Sequence, residues 1–251
     1  MGTFKAAVIN EIIKIYKKKK VIVAVIISLF AIVMGQLMVT VVNTGFGLRA
    51  VSGTQFPILV LSLFSRTILP FFTTLVVIDV FSGEFSHNTM KITMTRPITR
   101  IKLFTAKVSA VAFFVLVNLI IVMLLSMLAG ILFNSDSITA MGVFRVLLAY
   151  IVTLIPVVAF ALIIVFLANI FKSGTTVFFI SVIIFIAFNA ITIAFPRYSS
   201  LFITSMFDWH SLWNVNTFQI SKILIREFFI ILGCAIMFYT AGYYLFDKRD
   251  L

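Results

Sequence analysis

The chain has 251 residues, 62% of them hydrophobic and only 11% charged, with a mean hydropathy of +1.20. A soluble domain carries about 25% charged and about 45–50% apolar residues, so this composition excludes a water-soluble globule and specifies a polytopic membrane protein. The formal charge of +12 belongs to basic residues set beside apolar runs, which argues for cytoplasmic loops obeying the positive-inside rule and against nucleic-acid binding.

Residues 1–20, MGTFKAAVINEIIKIYKKKK, form a basic N-terminal segment in which Ile12, Ile13 and Tyr16 lie among Lys14 and Lys17. The pattern suits an amphipathic helix held on the membrane surface by anionic lipids, and it suits a plain orientation signal equally well. The following span, Val21–Val42, exceeds the ~7–15-residue apolar core of a cleaved signal and is expected to stay as an anchor.

A helix of ~20 apolar residues crosses a bilayer core ~30 Å thick. Five further segments qualify: Pro57–Ile78, Val108–Phe133, Val146–Phe171, Thr175–Phe195 and Phe228–Phe246. Pro70 and Pro156 are expected to kink the second and fourth spans. The basic residues of 1–20, of the loop after the second span, and Lys172, Lys248 and Arg249 would all lie on one side. Both termini are therefore expected to be cytoplasmic. The fold class is an all-α polytopic membrane protein with six transmembrane helices, and residues 1–251 are read as one transmembrane domain.

Two stretches between spans are informative. Residues 79–107, DVFSGEFSHNTMKITMTRPITRIKLFTAK, form a polar, basic island. Glu84, His87, Asn88 and Lys91 share one helical face by their i, i+3, i+4, i+7 spacing. Pro97 breaks the helix, because it has no N–H and disfavours helix at Arg96. Beyond it Ile98, Ile101, Phe104 and Val108 predict an apolar stripe, with Arg100, Lys102 and Lys107 as basic sites around it. The implied shape is an elbow: a helix leaving the bilayer, a sharp turn, and an amphipathic helix leading back. Residues 196–225 are too polar to span and too aromatic to float free. They are expected to form a re-entrant or interfacial helix closing the outer mouth, with Trp209 and Trp213 on one face.

Within the spans, Arg66 stands out, since a charge at membrane depth ordinarily faces a cavity or a partner. Arg66 and Pro70 are the candidate residues of a translocation path. Gln36, Asn118, Asn169 and Asn189 are expected to hydrogen-bond between helices. No G-x-x-x-x-G-K-[ST] phosphate loop, H-E-x-x-H pair or Cys/His cluster with metal spacing occurs, and one cysteine, Cys234, makes neither an intrachain disulfide nor a metal site. No catalytic residue, metal or cofactor is expected, and the chain is not read as an enzyme.

The order Glu84, His87-Asn88-Thr89, Lys91, Arg96-Pro97-Ile98-Thr99-Arg100 and Lys107 resembles the loop after the second span in ABC-2 type permeases, the membrane subunits of many ATP-driven exporters. Six spans, cytoplasmic termini and a semi-buried outer segment before the last span are similar to that family too. Its members often have Gly-Thr where this chain has Asn88-Thr89, and Asn still tolerates a left-handed turn. The resemblance implies that the elbow docks in a separate ATP-binding cassette subunit and that a second permease pairs with this one. It further implies that Glu84 fixes the elbow while Arg100 and Lys107 touch the ATPase or anionic lipid. The implied function is a permease subunit in the plasma membrane, of bacterial type, exporting a peptide, antibiotic, lipidic compound or ion. The alternative is a self-sufficient channel or secondary transporter gated around Arg66.

Overall fold

Apolar chain inside lipid must satisfy every backbone N–H and C=O internally, which leaves helices as the form for such spans. The computed structural model describes residues 2–46, 53–83, 98–133, 139–171, 173–214 and 218–248, and among these residues the chain is helical, with no strand. Helix α1 covers Gly2–Tyr16 and α2 covers Lys19–Phe46. Then come α3, Gln55–Arg66, and α4, Ile68–Val80. Helix α5 is Arg100–Phe133, α6 is Ala140–Ile170 and α7 is Gly174–Ala194. Two 3-10 segments, Pro196–Leu201 and Ile203–Asn214, lead into α8, Phe218–Asp247.

Helices α2, α5, α6, α7 and α8 are long and apolar enough to cross a bilayer, and α3 with α4 makes a sixth span if the bent pair is counted as one. The bend of 45° falls at Thr67 (φ −122°, ψ −74°) rather than at Pro70. The reason is local. Pro70 has no N–H to give the Arg66 carbonyl four residues back, and its ring crowds that carbonyl, so the helix yields in the turn before the proline. Pro70 itself sits in the first turn of α4, where a missing N–H costs least. Pro156, by contrast, lies inside α6, which runs on to Ile170.

Helix α6 is the centre of the bundle, with most of its span buried, whereas α2, α7 and α8 turn most of theirs outward. Outward Phe30, Met38, Ile183, Ile193 and Phe229 cost nothing where the surroundings are lipid.

The returning arm of the elbow and the third span are one uninterrupted helix. At 1.5 Å per residue the 34 residues of α5 reach about 51 Å, well beyond the bilayer core. Its inward face is also rotated from the one the apolar stripe implied. Leu103, Phe104, Lys107, Ala110, Val111 and Phe114 are buried, while Ile101 is exposed. The Phe104 ring sets this rotation by packing among Phe81, Tyr239, Tyr243 and Phe246, at centroid distances of 5.7, 5.2, 5.7 and 5.4 Å. The side chain three positions on, Lys107, is thereby carried inward.

The segment before α8 is helical but of the tighter kind. With three residues per turn, side chains at i and i+3 line up. Ile203, Met206 and Trp209 make one buried row and Thr204, Phe207 and His210 a second. The Trp213 side chain, expected to share a face with Trp209, lies outside the described residues. Trp209 is buried and stacks on Phe228 at 6.4 Å.

Contacts between helix ends sort the bundle. The end of α4, the start of α5, the end of α8 and the Glu11 stretch of α1 meet at one end, called here the elbow end. Thr54, Gly130 and Gly142 meet at the opposite, far end.

Candidate functional site

At the elbow end the two arms of residues 79–107 are tied to the rest of the chain by charge and by aromatic packing. On the departing arm, Asp79 accepts from Lys20 Nζ at 3.0 Å and lies 3.4 Å from Lys18 Nζ. On the returning arm, Lys107 Nζ donates to Glu11 Oε2 at 3.1 Å and to the Val80 carbonyl at 3.0 Å. Lys14 Nζ donates to the other oxygen of Glu11 at 2.6 Å. The Lys107 ammonium also lies 5.9 Å from the centre of the Phe81 ring, within cation–π range.

The start of α5 is held against α8 as well. Arg100 donates to the backbone carbonyl of Asp247, and the hydroxyls of Thr105 and Tyr239 are 2.8 Å apart. A cavity of about 500 Å³ opens here, lined by Ile98, Thr99, Arg100, Ile101, Leu103, Tyr243 and Asp247.

The sequence-based site is thus placed in part. Arg100 is exposed on the start of α5 beside that cavity. Lys107, expected to reach an ATPase or a lipid headgroup, is fully buried and pairs with Glu11 instead. Its position follows from the α5 rotation that Phe104 imposes. Glu84, His87, Lys91 and Pro97 lie outside the described residues.

Towards the far end, Arg66 closes α3 at the break and pairs with Asp208. Asp208 sits at a kink in its own 3-10 segment (φ −93°, ψ 19°), so two broken helices are joined through one ion pair. Two residues on, His210 is buried, with Nε2 3.2 Å from Ser62 Oγ of α3 and Nδ1 3.5 Å from Thr153 Oγ1 of α6. Burial lowers the imidazole pKa to about 4; a hydrogen bond to the Phe207 backbone opposes the shift, and the Arg66 charge adds to it. The ring is therefore neutral at ordinary pH and serves as a hydrogen-bonding pin.

Pro70 faces a crevice of only about 10 Å³, shared with Phe71, Thr74, Phe160, Ser181, Val182 and Phe185, room for about one water. Asn118 and Asn189, expected to bridge helices, donate to the carbonyls of Phe114 and Phe185 in their own helices. No cluster of three or more His, Cys, Asp or Glu able to hold a metal occurs among the described residues.

Three residues that make these contacts escaped the reading of the sequence: Glu11, Asp208 and His210. For the last two a signal was present, the three-residue spacing of Ile203, Met206 and Trp209 beside that of Thr204, Phe207 and His210, with Ser205, Asp208 and Ser211 as the polar row. Glu11 is the one acid in a lysine-rich segment, and spacing alone does not point it at Lys107.

The family model for ABC-2 family transporter proteins matches residues 7–189, from α1 through most of α7, including both arms of the elbow. The chain belongs to the ABC-2 transporter family. This ABC-2 protein is a multi-pass membrane component of transport, a permease subunit of an ABC transporter. Among curated proteins none matches it. The matched stretch contains Glu11, Arg66 and Lys107, whereas Asp208 and His210 lie beyond it.

Proposed function

We propose that this permease is the membrane half of an ATP-driven exporter, with ATP hydrolysed by a separate cassette subunit seated on the elbow. The observation that carries the reading is the anchoring of the elbow roots. Asp79, Val80, Arg100 and Lys107 connect the two arms to α1, to the α1–α2 link and to α8. A push on the elbow would reach α1, the α1–α2 link and α8 at once. Nucleotide acts by binding one state of such a coupled unit better than the other. Two permeases pair across the outward apolar helix faces, in a bacterial plasma membrane with the elbow end in the cytoplasm. The far-end pair of Arg66 and Asp208, with the His210 pin, serves as the outer closure, and Arg66 and Pro70 border the path of a peptide, antibiotic, lipidic compound or ion. The 3-10 segment supports this role, since it seals against α3 and α6 without spanning.

The test is a pull-down of the tagged permease from native membranes, read by mass spectrometry for a nucleotide-binding subunit. It is joined to labelling of a cysteine placed at Ser86 in a Cys234→Ser background. The expected result is a co-purifying ATPase and no reaction with an impermeant maleimide added to intact cells. Labelling of the elbow from outside overturns the reading.

A further inference from the structure

Lys107 and Glu11 are an ion pair shut off from solvent on both sides, at 0% and 2% side-chain exposure, whereas the Lys18, Lys20 and Arg66 pairs are open. Two charges so deeply placed are not explained by stability. Their desolvation offsets most of their attraction, and apolar side chains of like size are often as stabilising or more so. What a buried pair does supply is direction, because breaking it leaves an uncompensated charge.

The direction here is specific. Val80 is the last residue of α4, and its carbonyl belongs to the final turn, where the helix dipole is negative. Lys107 bonds that carbonyl with one N–H and Glu11 with another. The N-terminal segment thus meets the elbow twice with opposite signs. Glu11 holds the base of the returning arm, and Lys18 and Lys20 hold Asp79, the acid of the departing arm. Only Lys17 and Lys18 separate α1 from α2, so whatever moves α1 also moves the first span.

We propose that Glu11 is a positioning residue of the coupling step: through Lys107 and the Val80 carbonyl it makes α1 and both elbow arms one unit that passes displacement to α2. The inference rests on the proposed ATPase partnership and deepens it, adding the first span to the elements the ATPase drives.

The test uses the permease together with the ATPase that co-purifies with it, in lipid nanodiscs. The double variant Glu11→Leu/Lys107→Met removes both buried charges at similar volume and leaves Lys14, whose side chain is 40% exposed, to be solvated. It is expected to insert, to bind the ATPase and to melt within about 3 °C of the native chain. Permease-stimulated ATP hydrolysis is expected to fall about fivefold or more, in the range of a lost coupling of a few residues. Should the double variant not fold, Glu11→Asp decides: it keeps the charge and shortens the reach by one methylene, and lowered hydrolysis at an unchanged melting temperature supports the proposal. Hydrolysis at the native level in the folded variant overturns it, leaving the pair a packing feature. If no ATPase accompanies the native permease, the proposed function itself fails and this inference with it.

Discussion

The imidazole of His210 and the guanidinium of Arg66 lie close in one small region yet play opposite electrostatic parts. His210 is buried and neutral, and its pKa falls from 6.5 to about 4. Above pH 6.5 neither the folded nor the unfolded chain protonates this ring. As the pH drops from 6.5 towards 4 the unfolded chain takes the proton and the folded one does not, so stability declines across that window and levels off below it. The full loss is at most about 3 kcal/mol. Thermal unfolding in nanodiscs at about pH 7 and about pH 5 measures it, and His210→Gln should flatten the dependence. Arg66 is paired with Asp208. A lone Arg at membrane depth costs up to about 2.5–3.5 kcal/mol. Asp208→Asn should therefore destabilise the permease, and adding Arg66→Gln should restore part of the melting temperature. A double variant no more stable than Asp208→Asn alone would show that Arg66 does not depend on this partner.

Among the elements, α5 and the 3-10 segment show how far periodicity carries. The existence and rough limits of the spans follow from the lengths of the apolar runs, because a bilayer tolerates few other structures. The face of α5 does not follow, since its apolar residues lie on more than one side and only Phe104, docked among four aromatic rings, selects the inward one. The same indeterminacy applies to small residues. Gly130 and Gly233 look alike in sequence, each in an apolar run. A Cβ on Gly130 would collide with the Gly53 carbonyl oxygen, whereas one on Gly233 meets nothing within 4 Å. Gly130→Ala should cost about 1–3 kcal/mol through forced backbone movement. Gly233→Ala should be neutral or stabilise by up to about 1 kcal/mol. Paired thermal melts of the two variants check both signs.

At the level of the whole molecule, the elbow end gathers α1, α4, α5 and α8, and the far end is held by the contacts of Gly130 and Gly142 with Gly53 and Thr54. The Arg66–Asp208 pair ties the break in the second span between them. Such an arrangement suits a body pushed at one end and opened at the other. Glu84→Ala should lower transport and ATPase stimulation while leaving insertion intact, because its charge is assigned to the elbow rather than to a span. Vesicle transport assays with the reconstituted permease and ATPase read this, and unchanged transport removes Glu84 from the mechanism.

From the amino-acid order alone came the membrane class, the six apolar runs, the elbow between the second and third and the family resemblance. Each depends on hydrophobicity summed over many residues or on a contiguous motif, and neither requires knowing what packs against what. Only the tertiary structure decided that Lys107 turns inward to Glu11 and that Arg66 finds Asp208. These outcomes depend on which side chains meet across 96 and on the order of 140 positions of chain. Local periodicity carries no information over such separations, because two helices of the same composition can be turned about their axes at little cost until packing chooses.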